Sequence, residues 1–328
     1  MSKSAVRQLS KVLLFLLCFA ILVWMVWQAG PLQLWQTLCS MPGTIALCIA
    51  VWGVGYLLNA ASFRQVLMGR QEADDQSRPV SFSFLSVLRL TISGYAINYI
   101  TPFGLLGGEP YRVLMLRDQI GAERATQSVV LYSMMHVASH FCFWILSAFV
   151  ALATATGSTS FDAVGRRETI AVASMMLVCL GLLILFWHLY RRGITLRFMR
   201  RWVDWPLLDP SLLPSGRFIK ALLLELLSRL VNVIEYWLIM QALGYTSFGY
   251  AEALLVVAFS SLLANILFFS PLQMGTREGG ILLALQYLLT GQLLPVALTL
   301  SFATRVREFV WIALGISMMG KGKASNQL

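Results

Sequence analysis

The sequence predicts an all-α polytopic membrane protein, and three observations lead to that fold class. Hydrophobic residues make up 58% of the 328-residue chain and charged residues only 12%, whereas soluble domains carry roughly 25% charged residues. Apolar runs of about 20 residues, the length that crosses a bilayer as a helix, recur along the whole chain. The polar connections between them are short, so residues 1–328 are predicted to form a single integral membrane domain with no soluble domain.

Six of the apolar runs are predicted to be full spans. They are residues 12–27, 44–61, 127–153, 169–190, 218–243 and 294–319. The first run follows basic residues, as the core of a signal peptide does, but its small-residue cleavage pattern is weak, so we interpret it as a retained span. Residues 28–43 and 202–217 are predicted to lie at the membrane interface.

The net charge of +10 is explained by topology, because the cytoplasmic loops of membrane proteins collect Lys and Arg. Basic residues follow the second, fourth and last spans, for example Arg70 and Arg78, Arg191 and Arg192, and Lys321. This distribution predicts that both termini are cytoplasmic, and it requires no nucleic acid partner. The five cysteines show no metal-ligand spacing and are interpreted as packing residues.

Two further segments, 82–117 and 251–290, are apolar but interrupted. The first breaks at TPFGLLGGEP (residues 101–110) and the second at PLQMGTREGG (residues 271–280), where Pro and Gly end a helix. The pieces that resume, 111–116 and 281–289, are shorter than a span, which favours re-entrant hairpins over extramembrane loops between ordinary spans. The basic loops give the hairpins opposite orientations, and such pairs are typical of an inverted repeat with a substrate site at the midplane.

The hairpin tips are predicted to bind an anion such as a phosphate. Glycine turns expose backbone N–H groups, and a helix that restarts after the turn presents its positive end. Arg112 and Arg277 lie beside the two turns and add positive charge. Glu109 and Glu278 are close by, where they either fix the arginines or titrate during transport.

Polar stripes run along the predicted spans, where an ionisable group at the bilayer centre costs about 2.5–3.5 kcal/mol unless it faces protein or water. The stripe in 218–243 contains Glu225, Ser228, Arg229, Asn232 and Glu235, and the stripe in 294–319 contains Ser301, Thr304, Arg305 and Glu308, with Arg307 off to the side. Two interpretations stay open: self-neutralising ion pairs one turn apart, or groups that line a cavity.

A third polar face, on 127–153, carries His136 and His140 four residues apart. That is the spacing of a two-histidine metal site, but the glutamate of the HExxH motif is missing and no third ligand is evident. Packing between helices is therefore favoured over a metal.

The broken segments carry a resemblance to a known family. The residues concerned are Asn98, Thr101-Pro102-Phe103-Gly104, Gly107-Gly108-Glu109-Pro110, Arg112, Pro271, Gly275, Arg277-Glu278-Gly279, Arg305, Arg307-Glu308 and Gly315. With them the chain resembles, from about residue 12 to 319, the flippase-like family named for the transmembrane part of lysylphosphatidylglycerol synthase. The resemblance implies a bacterial inner-membrane protein that moves lipids or lipid-linked molecules between leaflets.

The resemblance has two limits. Full-length lysylphosphatidylglycerol synthases add a soluble aminoacyl-transferase domain, which this chain lacks, so lysyl transfer is not expected of it. Leu272-Gln273-Met274 replaces the glycine-rich stretch that usually follows the proline in the family, which leaves the substrate open.

The leading functional hypothesis is a lipid translocase in which the hairpins and the stripes bind an anionic head group. The residues predicted to bind substrate are Asn98, Pro102, Gly107, Gly108, Glu109, Arg112, Glu225, Arg229, Glu235, Pro271, Gly275, Arg277, Glu278, Arg305 and Glu308. The alternatives are a membrane-embedded transferase acting on a lipid head group and a non-transporting scaffold of envelope assembly.

Enzymatic activity is less expected than transport, because the sequence shows no nucleotide or metal motif. Residues 315–322 approach a phosphate-binding loop but have Gly322 where Ser or Thr is required. No cofactor is expected. The expected partners are membrane lipids, with a second copy of the chain or an enzyme of envelope-lipid synthesis as further partners.

Overall fold

The computed structural model describes residues 30–72, 82–100, 107–157, 215–267 and 273–319, together with Gly181 and a few residues between 23 and 28. Within these ranges the regular secondary structure is helical, and no strand occurs. The all-α prediction is therefore confirmed for the described part of the chain. The predicted spans 12–27 and 169–190 lie almost wholly outside it, as does most of the interfacial stretch 202–217.

We number the helices α1 to α9 in chain order. They are α1 (Pro31–Cys39), α2 (Pro42–Glu72), α3 (Phe84–Ile100), α4 (Gly108–Ile120), α5 (Ala122–Gly157), α6 (Ser215–Ala242), α7 (Tyr250–Ile266), α8 (Thr276–Leu288) and α9 (Leu294–Met319).

Four of the helices are long. By length and composition α2 can cross a membrane over Pro42–Gly69 and α5 over Ala122–Ala153. Helices α6 and α9 have 28 and 26 residues, or about 40 Å each at 1.5 Å per residue, and they carry the charged stripes. Each of the four contains one of the predicted spans, and α2 continues about three turns beyond the predicted end at residue 61.

Four short helices form the two broken segments. In the first, α3 has 17 residues and α4 has 13; in the second, α7 has 17 and α8 has 13. Seventeen residues extend about 26 Å and thirteen about 20 Å, less than the roughly 30 Å of a bilayer core. The interruptions thus lie where the sequence predicts them, while re-entry into the membrane and the inverted repeat stay predictions.

The predicted restart points were too late in both segments. Helix α4 begins at Gly108 rather than at residue 111, and α8 begins at Thr276 rather than at residue 281. Pro110 is accommodated because the first turn of a helix makes no intrahelical use of its N–H groups. Arg277 and Glu278 consequently belong to the first turn of a helix, not to a loop.

Helices α7 and α8 pack directly against each other. Gly280 makes the close approach possible, because a Cβ atom there would lie 2.8 Å from the Cα of Ser260. The second broken segment is therefore a helical hairpin. In the first broken segment α4 packs against α5, the helix that follows it, and Arg112 and Leu116 of α4 also lie against α3.

The chain divides into two compact units. The described parts of the first unit are α1, α2 to Trp52, α3 from Tyr95, and the residues from Asn232 to Ser317. Its core includes Leu298, which packs against Leu34. The prediction of a single membrane domain is neither supported nor contradicted by this division and stays a prediction.

The second unit contains α2 from Gly53, α3 to Gly94, and the described parts of Gly108–Val231. Its core joins Phe63 of α2, Val87 of α3, Leu116 of α4 and Tyr132 of α5. The Phe63 and Tyr132 rings are 4.5 Å apart between centroids, a separation at which aromatic pairs attract each other.

The distribution of side chains is that of a protein in lipid. Long helices expose large apolar side chains, among them Leu47, Leu57, Phe149, Leu223, Ile316 and Phe309, the last 69% exposed. Charged side chains of the same helices are buried, including Glu225, Glu235 and Arg307. In water such exposed apolar surface would be a liability, whereas the inverse arrangement suits a bilayer.

Candidate functional site

In the first unit, α6, α8 and α9 bring three arginines and three glutamates together. We call this set the balanced cluster: Glu235, Arg277, Glu278, Arg305, Arg307 and Glu308. Three positive and three negative charges sum to zero.

The centre of the balanced cluster is the pair between Arg307 and Glu235. Nε and Nη2 of Arg307 donate to the two oxygens of Glu235 at 3.0 Å each, and both side chains are fully buried. The guanidinium lies 3.6 Å from the ring centroid of Trp52, whose Nε1 also donates to Glu235. A bidentate pair stacked on an aromatic ring fixes both geometry and charge.

The remaining pairs anchor the start of α8 to α9. Arg277 pairs with Glu308 and donates to the Thr304 hydroxyl. Oε1 of Glu278 accepts from Arg305 Nη2 at 2.7 Å and from the Ser301 hydroxyl at 2.6 Å. The second hairpin is thereby bonded to the last helix through both charged residues of α8.

Glu278 also caps its own helix. Its Oε2 accepts from the backbone N–H of Gly275 at 2.8 Å, as the acidic residue of a capping box does. Gly275 has a φ of +79°, which favours glycine. The predicted anion at this tip would have to compete with a carboxylate that already interacts with the helix start.

In the second unit, α5 and α6 face each other through a second set of polar residues. We call it the histidine cluster: His136, Ser139, His140, Glu225 and Arg229. Nδ1 of His136 lies 2.9 Å from Oε2 of Glu225. Arg229 donates to the Ser139 hydroxyl at 2.7 Å and to the His136 carbonyl at 2.8 Å.

Near the histidine cluster, the start of α4 carries the pair that we call the arginine site, Glu109 and Arg112. Nη1 of Arg112 donates to Glu109 Oε1 at 3.3 Å, and the guanidinium lies 5.4 Å from the ring centroid of Tyr132. The Arg112 side chain is 2% exposed and that of Glu109 is 23% exposed.

Gly94 of α3 makes room for Arg112. A Cβ atom at position 94 would lie 2.5 Å from Nε and 2.9 Å from Cζ of the arginine. Real Cβ atoms do not approach other atoms so closely, so any larger residue would displace the guanidinium. The position of Arg112 thus depends on a glycine in the preceding helix.

The second unit leaves several buried polar atoms without a hydrogen-bond partner among the described residues. Four of them belong to or adjoin the two sites: Glu109 Oε2, Glu225 Oε1, His140 Nδ1 and Ser133 Oγ. Buried polar atoms are normally bonded, and each exception calls for an explanation. A polar molecule bound at either site would supply hydrogen-bond partners for the open atoms of that site.

The structure distributes the predicted substrate residues over both units. Glu109, Arg112, Glu225 and Arg229 lie in the second, and the Glu235, Arg277, Glu278, Arg305 and Glu308 side chains meet in the first. Asn98 is buried near the end of α3, Gly107 forms the bend before α4, Gly108 is its buried first residue, and Pro102 and Pro271 lie outside the described residues.

Arg307 corrects the sequence analysis, which set it aside from the stripe of α9. It is fully buried at the centre of the balanced cluster. The error arose because the buried face of α9 is wider than the stripe of four residues that were grouped. An arginine within an apolar helix is itself the signal, since an unpaired charge there would be costly.

Trp52, Gly94 and His136 were not included among the predicted site residues, since no local pattern distinguishes them. The charged partners also differ from the proposed pairs one turn apart. Glu225 pairs with His136 of α5 and Arg305 with Glu278 of α8, so the stripes connect helices rather than neutralise themselves. Among the described residues no group of three potential ligands could hold a metal ion.

The fold and these buried charges define a class: a helical membrane protein with polar groups held inside a lipid-compatible exterior. The chain matches the family model described as the lysylphosphatidylglycerol synthase TM region over residues 9–315. It therefore belongs to that family, as the sequence resemblance predicted, and is a membrane protein related to lipid metabolism or transport. No curated protein sequence matches it.

Proposed function

We propose that the protein is a lipid translocase of the bacterial inner membrane, with both termini in the cytoplasm. In this proposal the head group binds at the arginine site in the first broken segment. The family membership supports a role in lipid metabolism or transport. The basic loops of the sequence support the orientation.

The observation that carries the proposal is the incomplete bonding of Glu109. One carboxylate oxygen accepts from Arg112, while the other is buried and accepts no hydrogen bond from the described residues. A buried acceptor of this kind costs about 1–3 kcal/mol. A ligand that donates a hydrogen bond to it recovers that free energy.

The charges of the arginine site indicate which head groups fit. An arginine binds phosphate with directed, charge-assisted hydrogen bonds, and the neighbouring carboxylate accepts from a hydroxyl or an amine. A head group that combines a phosphate with a hydroxyl or an amine offers the negative charge for Arg112 and the hydrogen-bond donor for Glu109 in one molecule. The proposed cargo is thus a phospholipid with a polar, hydrogen-bond-donating head group.

The balanced cluster has a different role in this proposal. Its six charges are matched, and its arginines are engaged by glutamates. We infer that it holds α8 and the second hairpin in place rather than binding the phosphate. The sequence predicts anion binding at the tips of both hairpins. In the present proposal the first hairpin keeps this binding and the second has a structural role.

The test is leaflet exchange in reconstituted vesicles. Labelled anionic, zwitterionic and aminoacylated phospholipids are compared for the wild type, Arg112→Ala and, as a control in the same helix, the exposed Arg117→Ala. We expect exchange of at least one lipid class that is lost in Arg112→Ala and kept in Arg117→Ala. Equal exchange by both variants for every lipid would refute head-group binding at Arg112. Absence of exchange by the wild type would refute the translocase function.

A further inference from the structure

We propose that the His136–Glu225 pair is a proton-binding site that couples lipid movement to a proton gradient. The coupling rests on the proposed translocase function, whereas proton binding by the pair does not. From the sequence, these histidines are interpreted only as packing residues or as a metal site.

The geometry is that of a shared proton. Nδ1 of His136 and Oε2 of Glu225 are 2.9 Å apart, so one hydrogen lies between them. Imidazole has a second nitrogen, Nε2, that can take up another proton. The pair therefore has two protonation states that differ by one positive charge.

Because Glu225 is buried, a change in the charge of the pair acts strongly on neighbouring charges. Glu225 is 1% exposed and its Oε1 has no hydrogen-bond partner among the described residues. The nearby Nδ1 of His140 is buried and likewise without a partner there. Carboxylate and histidine groups placed together inside membrane helices are the usual components of proton relays.

Other charged and titratable groups face the pair. His140 and Tyr132 lie on its own helix, with ring centroids 5.4 and 6.5 Å from that of His136. Arg229 approaches from α6, and the guanidinium of Arg112 lies 5.4 Å from the centroid of the Tyr132 ring, the neighbour of His136 on α5. From α2, the contact to this face of α6 is neutral: the Gly55 carbonyl accepts from Ser228.

The interaction with Arg112 connects the proton to the cargo. A proton added at Nε2 of His136 raises the positive charge beside the arginine site, which strengthens the attraction for a phosphate. By linkage, a bound phosphate strengthens proton binding to the same extent. Proton and head group then bind together from one side, and the proton returns to water when the head group leaves at the other.

Proton binding is tested without lipid transport, by nuclear magnetic resonance of the full chain with ¹⁵N-labelled histidine. The chain has three histidines, and His136→Gln identifies the signal of position 136. We expect that signal to show proton uptake between about pH 8 and about pH 5, the range of histidine titration. Glu225→Gln should shift its midpoint, and Glu123→Gln, an exposed carboxylate of α5, should not.

A His136 signal that keeps one protonation state throughout this range would overturn the proposal. So would a titration that is identical in the wild type and in Glu225→Gln. Because both variants replace one side chain by a polar one of similar size, a folded spectrum with the other histidine signals in place shows that loss of titration is local.

Coupling is tested in vesicles that carry a pH gradient. A gradient of about one pH unit can bias the distribution of lipid between leaflets by up to about tenfold for each coupled proton. We expect such a bias with the wild type and Glu123→Gln, and exchange without bias in His136→Gln, which removes the titrating ring of the pair. Wild-type exchange that is the same with and without the pH gradient would refute the coupling but not the translocase function.

The remaining outcome separates the two proposals. If no lipid exchanges in either condition, the proposed function and the coupling both fail. The magnetic resonance titration then decides alone whether the pair binds a proton.

Discussion

The two units place charge in their interiors in different ways. The balanced cluster of the first unit joins three arginines to three glutamates across three helices, with its central pair bidentate and stacked on Trp52. The arginine site and the histidine cluster of the second unit retain buried carboxylate oxygens without partners in the described structure. Nη1 of Arg307 in the balanced cluster is likewise buried without a partner there, but each glutamate of that cluster is bonded by an arginine. A cluster whose carboxylates are bonded is suited to holding helices together, whereas one with open carboxylate oxygens is suited to receiving a ligand.

The difference has an energetic consequence. Removing one member of a closed buried pair leaves a charge with no compensation and costs about 3–5 kcal/mol. Removing a group whose second oxygen was never bonded costs less, because part of its desolvation was already unrecovered. Variants in the first unit should therefore act mainly on stability, and variants in the second mainly on function.

The largest effect is expected at the centre of the balanced cluster. Arg307→Met leaves the fully buried Glu235 without its bidentate partner, so we expect a loss of about 3–5 kcal/mol of stability. Thermal unfolding in detergent measures it. The double variant with Glu235→Leu should recover much of the loss, since it removes both charges, and a double variant less stable than either single would contradict a closed pair.

The next effect concerns the contact between α7 and α8. Gly280→Ala forces a Cβ against the Cα of Ser260, for an expected cost of about 1–3 kcal/mol. Gly279→Ala is the matched control, because no atom lies within 4 Å of its added Cβ. Alanine favours a helix over glycine by up to about 1 kcal/mol, so the control should be neutral or stabilising, and equal losses at both positions would refute the packing contact.

A comparable substitution in the second unit should affect binding more than stability. Gly94→Ala would place a Cβ 2.5 Å from Nε of Arg112, which moves the guanidinium away from Glu109. We expect lipid exchange to fall toward the level of Arg112→Ala, while gained helix propensity offsets part of the strain. Unimpaired exchange in a folded Gly94→Ala protein would show that the position of Arg112 does not matter.

The smallest change in stability is expected at Glu109. Glu109→Gln keeps the shape of the side chain, and its amide oxygen can still accept from Arg112, so we expect a cost of about 1 kcal/mol at this partly exposed position. Asp118→Asn, an exposed carboxylate of the same helix, serves as the control. Both proteins should unfold near the wild-type temperature.

The sequence predicts the helices of this protein better than the partners of its charges. Helix α3 ends at Ile100, directly before the predicted break, and the span predicted at 294–319 coincides with α9, whereas α7 ends at Ile266, a few residues before the break predicted at residue 271. Apolar runs and the residues that end them are local signals. The restart of α4 was predicted late because proline is tolerated in a first helical turn, and that of α8 because Gly279 and Gly280 lie inside the helix rather than in the break. Arg307 was misplaced because helical periodicity describes one helix, not the neighbours that bury it.

The candidate sites illustrate the same limit. Glu109 and Arg112 could be predicted as a pair since they lie three residues apart in one segment. Two other features arise from contacts between helices: the space that Gly94 leaves for Arg112, and the pairing of Glu225 with His136. Contacts between helices depend on tertiary packing, and no pattern within a single segment of the sequence reveals them.

The most direct test of the account compares two isosteric substitutions, Glu109→Gln in the open site and Glu278→Gln in the balanced cluster. Each protein is measured for thermal unfolding and for lipid exchange in vesicles. We expect Glu109→Gln to unfold like the wild type but to lose exchange, and Glu278→Gln to be clearly less stable because Arg305 loses its buried partner. Full exchange by Glu109→Gln, together with wild-type stability of Glu278→Gln, would contradict the assignment of ligand binding to the arginine site and of a structural role to the balanced cluster.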